Sequence, residues 1–245
     1  MSIHRWRVFA RASWLFFAIA ALLGGGVVSV AAQPDVTGTP GALVTLRVEG
    51  ATATIFEGQI FTRGHDVTTP SGGTHHCDGT NNNANPKPGP TATSALDDGA
   101  RQNGFTWDGT YSTQFDDYFI TRIANDAQTA DQFWGILRNG QFTQVGGCQQ
   151  RVNQFDEVLF AFDAFNKSQF LRLEGPRTAR VGQPITVTVT DSLAGNPAAG
   201  ATVNGATTDA NGRASVTFTS VGMQQVKAEH PQAIRSNRLE VIVTP

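Results

Sequence analysis

The chain has 245 residues with 18 basic against 20 acidic side chains, and its formal charge is −2. Without a basic excess there is little electrostatic support for binding a phosphate backbone, so nucleic-acid binding is not expected. Only two cysteines occur, too few for a disulfide-dense miniature scaffold, and the length suits one large domain or two small ones.

The first residues form a secretory signal by pattern: basic Arg5, Arg7 and Arg11, an apolar run from Trp14 to Leu23, then Val30-Ala31-Ala32 with small side chains for cleavage. Residues 1–32 are read as the signal, and Gln33 as the mature end. Loss of three arginines and no acid takes the formal charge from −2 to −5. The rival reading is an uncleaved anchor, because Trp14 to Ala32 is just long enough to span a bilayer. Gly24-Gly25-Gly26 argues against it, and no second apolar span follows. The expected localisation is secreted, with no membrane span once the signal is removed.

After the signal, Val44, Leu46 and Val48 alternate with Thr45, Arg47 and Glu49, the period of a strand buried on one face. Ala53 to Phe61 reads as a second strand. Thr62 to Pro90 is then a long polar stretch with three histidines and Cys77, expected to be a functional or tied-down loop. A helix follows, with Ser94 as its cap, Asp97 three residues on, and Gly104 at its end. Strands are expected at Tyr118 to Ile123 and Phe133 to Arg138. Asn139-Gly140 is a hairpin signal, and Phe142 to Val145 can be the return strand. Val158, Phe160 and Phe162 alternate in a last strand. Two strands, a loop, one helix and several strands pack most naturally as a mixed sheet wrapped over the helix, an α+β plan of β-grasp type.

The composition shifts near Asn166-Lys167-Ser168, which is also a glycosylation sequon. From Phe170 onward, Thr/Val-rich alternation and regular turn signals predict a small all-β antiparallel sandwich without a helix. The expected domains are therefore 33–168 and 169–245.

Cys77 and Cys148, in an exported chain, are expected to form one disulfide within the first domain. The alternative is a metal thiolate at Cys77 beside His75 and His76.

Residues 33 to about 164 resemble a secreted domain-of-unknown-function family related to the C-terminal domain of transcobalamin. The resemblance is carried by Val44-Thr45-Leu46-Arg47-Val48-Glu49-Gly50, Thr54-Ile55-Phe56-Glu57-Gly58, Thr93-Ser94-Ala95-Leu96, Tyr118-Phe119-Ile120-Thr121-Arg122-Ile123, Trp134-Gly135-Ile136-Leu137-Arg138-Asn139-Gly140 and Asp156-Glu157-Val158-Leu159. It implies a β-grasp-like fold. That family often has a glycine before the last Asp-Glu-Val, where this chain has Phe155, so a different turn geometry is expected there. Residues 170–245 resemble bacterial immunoglobulin-like repeats, on Ala179-Arg180-Val181-Gly182-Gln183-Pro184, on 195–203 and on 208–214. Such repeats imply spacer or adhesion modules. The large helical domain that supplies much of transcobalamin's corrinoid site has no counterpart here, so the resemblance reaches the fold and only weakly reaches the ligand.

For chemistry, His65, Asp66, His75, His76 and Asp78 fall in one region, and imidazoles suit zinc, copper or nickel. Their spacing matches no metal motif, and a polar loop capping backbone groups beside a disulfide is the plainer reading. The carboxylate doublets 97–98, 116–117 and 156–157 are read as helix starts, turns and solvated faces. Ten of the sixteen phenylalanines lie between Phe105 and Phe170. Most are expected in a core, with Trp107, Tyr111 and Phe115 exposed in a loop-like stretch. No catalytic or cofactor-binding residue, metal site or cofactor is assigned. The expectation is a secreted non-enzymatic binding or surface-interaction protein whose partner is an unknown extracellular ligand or surface component. The candidate ligand-binding residues are His65, His75, His76, Asp78, Trp107 and Tyr111. A metal-dependent or carbohydrate-active enzyme using the His65/His75/His76 loop is one alternative, and a purely structural or adhesive module is the other.

Overall fold

The structure is a computed structural model and describes residues 40–245. The signal reading lies outside the described residues.

The first half begins with β1 (Gly41–Glu49) and β2 (Thr54–Arg63), an antiparallel pair. Next come β3 (His65–Thr69) and β4 (Gly73–Cys77), which pair as a hairpin. The polar stretch after Thr62 is thus not one long loop. Its first part extends β2 and builds this hairpin, because Val67, Thr69 and Cys77 are inward positions of a period-2 pattern hidden among polar residues.

Helix α1 (Ala92–Asn103) follows. Its cap is Thr91, not Ser94. Thr91 Oγ1 accepts from the Ser94 N–H at 3.0 Å, and Ser94 Oγ accepts from the Thr91 N–H at 2.9 Å, a reciprocal capping box worth about 1 kcal/mol. Asp97 is thereby left free to point inward. Gly104 ends the helix in the left-handed region, as expected. The helix lies close against β1: a Cβ on Gly99 would come within 2.3 Å of Leu46 Cδ2.

Strands β5 (Trp107–Ser112), β6 (Asp117–Ile123) and β7 (Asp126–Ala127) form a small antiparallel sheet. β8 (Trp134–Arg138) turns through Asn139 and Gly140, both at positive φ, into β9 (Gln141–Phe142), a return strand shorter than the sequence suggested. β10 (Glu157–Phe162) completes a five-stranded mixed sheet of order β2-β1-β10-β8-β9, in which β1 and β10 are parallel. One face buries Val44, Leu46, Val48, Val158, Phe160 and Phe162 against the helix side.

The opposite face is not solvated. After a short turn at 164–166 the chain enters a second, all-β half that covers it. That half comprises β11 (Gln169–Glu174), β12 (Thr178–Arg180), β13 (Pro184–Asp191), β14 (Thr202–Val203), β15 (Ala206–Thr207), β16 (Arg213–Thr217), β17 (Gly222–Val226), β18 (Ala228–Glu229), β19 (Ala233–Ile234) and β20 (Leu239–Thr244). Its sheets run β16-β13-β11-β19, β12-β20-β17 and β15-β14-β18 around a core that includes Leu173, Val187, Val189, Val216 and Val241. Leu137, Leu159, Ala161 and Ala164 from the first half share an apolar cluster with Phe170 and Ile234 from the second. Arg47 and Glu49, expected on a solvated face, are therefore buried. Alternation correctly assigns the two faces of β1, but it cannot tell water from a covering layer.

Candidate functional site

The β3–β4 hairpin holds the histidine-bearing segment. Its register pairs His65 with Cys77, Asp66 with His76 and Val67 with His75. Directly opposed residues share a face, so His75 lies with His65 and Cys77, whereas His76 lies on the other face.

His75 stacks flat on Tyr111, with ring centroids 3.4 Å apart and planes 2° from parallel. Its Nε2 lies 3.1 Å from the Gly72 carbonyl, and Tyr118 closes the cluster edge-on. The Tyr111 hydroxyl donates to Asp116. Burial and this carboxylate push the phenol well above its ordinary range. Asp116 also accepts from the Asn82 N–H at 2.6 Å and faces His76 Nε2 at 3.3 Å. Burial alone would raise Asp116, but these donors hold it below the usual carboxylate range.

His65 belongs to a different cluster. Its Nδ1 lies 2.8 Å from the Arg63 carbonyl and its Nε2 lies 3.0 Å from Asp97 Oδ2. Only the imidazolium satisfies both acceptors. Arg101 Nη2, 3.0 Å from the same Nε2, opposes that charge, but it is itself paired with Asp97 and Asp98. Burial lowers the pKa, and the Asp97 hydrogen bond, the Arg63 carbonyl and the two carboxylate charges outweigh it, so His65 is raised overall.

Trp107 is not exposed as expected. It is only 6% accessible, because its indole N–H donates to Asp97 Oδ1 at 3.1 Å and its ring packs edge-on against Tyr118. Tyr111 is half-buried, and Phe115 is the ring of the three that stays open, at 61%. Asp78 shapes a turn: its Oδ1 accepts from the Thr80 N–H at 2.9 Å and from the Thr80 hydroxyl at 2.6 Å.

Cys77 and Cys148 form the disulfide, closing 71 positions of sequence, and both are fully buried. On the chain-entropy model a loop of this length stabilises by roughly 4 kcal/mol. It fixes the end of the hairpin to the segment before β10. Asp117 holds the same place from the other side, accepting from the backbone N–H groups of Cys148 at 3.0 Å, Gln149 at 3.2 Å and Tyr118 at 2.8 Å. Burial raises Asp117 to about 6, against the three donors that favour its anion.

The acidic doublets thus contain buried, structurally committed members, Asp97 and Asp117, that the sequence reading placed in caps and on solvated faces. A doublet before a strand gives no sign of which member turns inward. The three imidazoles have separate partners. Among the described residues, no group of three or more His, Cys, Asp or Glu side chains is arranged to hold a metal ion. A cleft of about 500 Å³ lies elsewhere, lined by residues of both halves including Phe162, Lys167, Glu229 and Arg235, and none of the candidate residues lines it.

No protein-family model matches the chain, and no curated protein matches it in sequence.

Proposed function

We propose that this chain is a secreted, non-enzymatic binding or surface-interaction protein, in which a β-grasp-like domain presents a binding face and an immunoglobulin-like domain carries it. The strand order supports the first assignment. Counting only the strands of the five-stranded sheet, it is two-one-five-three-four, with the first and last parallel at the centre and the helix between the second and third. For the second, the parallel pairing of β12 with β20 and the antiparallel order around β13 fit an immunoglobulin-like sandwich. The resemblance of 33–164 to the transcobalamin-related family agrees with the same reading.

The observation that carries the functional reading is the fixed surface made by the His75–Tyr111 stack, Asp116 and His76 beside the exposed Phe115 ring. The disulfide, the Asp117 clamp and the ring stack hold this surface before any ligand arrives, and pre-organisation of that kind favours recognition. The acidic and imidazole groups nearby are engaged in mutual bonds rather than aimed at a common point, which favours binding over catalysis.

Thermal-shift measurements on the purified chain with soluble glycans, corrinoids, zinc and copper test this reading. A glycan or corrinoid shift that Phe115→Ala abolishes supports it. A metal shift that is lost in the His75→Ala/His76→Ala double variant supports instead the metal-dependent alternative.

A further inference from the structure

β2 is an edge strand of ten residues, without a proline or lysine to discourage pairing. The direction of its peptide groups follows from its neighbour. The Thr45 N–H donates to the Asp156 carbonyl at 2.9 Å, and the Leu43 carbonyl accepts from the Phe155 N–H at 2.7 Å. Both residues therefore turn their peptide groups away from β2. Opposed residues in an antiparallel ladder bond to each other with both groups or with neither. Gln59 and Phe61, which oppose Thr45 and Leu43, thus turn theirs outward.

The same parity applies along the strand, and its two ends are already used. The outward Glu57 carbonyl accepts from Arg238 Nη2 at 3.3 Å, and the outward Arg63 carbonyl lies 2.8 Å from His65 Nδ1. Between them, the N–H and C=O of Gln59 and of Phe61 meet no partner among the described residues, and both residues are exposed.

This open window is symmetric about Ile60. We propose that it is where two copies of the chain pair, β2 against β2 about a two-fold axis at Ile60. Gln59 then opposes the second copy's Phe61 and Phe61 opposes the second copy's Gln59, so every outward group in the window is bonded. The two five-stranded sheets become one continuous sheet. The two Phe61 residues, 48% accessible in the single chain, become diagonal neighbours on one face with backbones about 7–8 Å apart, a spacing that aromatic side chains can span. A foreign peptide gains little from a window of three residues. A second copy fills it self-complementarily and uses both Phe61 rings, as two-fold interfaces do.

Sedimentation velocity of the full chain over the micromolar range tests this. The expected result is a concentration-dependent dimer. Gln59→Pro removes an outward N–H that the β1–β2 ladder does not use, and Phe61→Lys places two charges near the axis. Each variant is expected to weaken the dimer by about tenfold or more with an unchanged melting temperature. If Gln59→Pro lowers the melting temperature, Phe61→Lys alone decides. A wild-type chain that stays monomeric throughout overturns the proposal, as does a dimer that a folded Phe61→Lys variant leaves intact.

Discussion

The buried Glu49 and the partly buried Lys227, 178 positions apart, meet as an ion pair across the junction of the two halves. Glu49 also accepts from Arg235 Nε at 2.9 Å and from the Thr54 hydroxyl at 2.9 Å, while Lys227 Nζ lies 2.8 Å from Glu57. Arg47 donates to the Arg235 carbonyl at 2.8 Å and pairs with Glu157 at 3.0 Å. Together with the apolar cluster around Leu159, Phe170 and Ile234, these bonds make the junction a second core rather than a hinge.

Removing Glu49 takes the shared counter-charge from two partly buried cations, of which Lys227 keeps Glu57 and Arg235 keeps no other carboxylate among the described residues. Glu49→Ala is expected to destabilise the chain by about 2–3 kcal/mol, at or below the low end of the range for breaking one side of a buried pair, because both cations keep some solvent and Lys227 keeps Glu57. Calorimetry is expected to show the wild-type halves melting in one transition. A separate low-temperature transition for residues 169–245 in the wild type would contradict the shared core.

These contacts also mark where the sequence stops being legible. The positions of β1, α1, β8 and β10, the Asn139-Gly140 turn and the Cys77–Cys148 bond are readable because each rests on local period, turn chemistry or a count of two cysteines. Arg47 and Glu49 are misread because a charged residue at an outward position normally means water, and here it means a partner more than a hundred residues away. Trp107 is misread for a similar reason. Its Gly/Asp/Thr-rich surroundings suggest a loop, but Asp97 accepts its indole N–H only once α1 and β5 are packed together. The hairpin at 65–77 is obscured because it puts histidines and threonines where strands usually carry apolar residues.

Phe155 adopts φ 68, in the left-handed region, and is 73% exposed. Its N–H donates to the Leu43 carbonyl at 2.7 Å, so the turn into β10 holds that conformation in place. A β-carbon there costs about 1–2 kcal/mol, whereas glycine adopts the conformation freely and loses about 0.5–1 kcal/mol in chain entropy. Phe155→Gly is expected to stabilise the chain by about 0.5–1 kcal/mol in denaturant unfolding. A destabilisation would mean that the exposed ring makes a contact worth more than the backbone strain.

His65 and Asp117 give stability a dependence on mild acid. The folded pKa of His65 is raised, so its contribution is fully present below its unfolded value near 6.5 and is lost as pH rises through the folded value. Burial raises Asp117 from 3.8 to about 6. Keeping it ionised therefore costs stability above pH 6, and that cost is relieved as pH falls from about 6 towards 3.8. Both groups favour the folded chain at lower pH. The opposing groups act in a more acidic window. Asp116 and Asp156 are held below their usual range, so the stability they confer is lost only as pH falls below about 4. The melting temperature is expected to rise between pH 8 and 5, with Asp117 supplying about 1–2 kcal/mol of the gain, and to fall again below pH 4. Asp117→Asn is expected to flatten the rise between pH 7 and 5 and to leave the loss below pH 4. An unchanged slope in that variant, with the chain folded, would assign the acid response to groups other than the carboxylate that clamps Cys148.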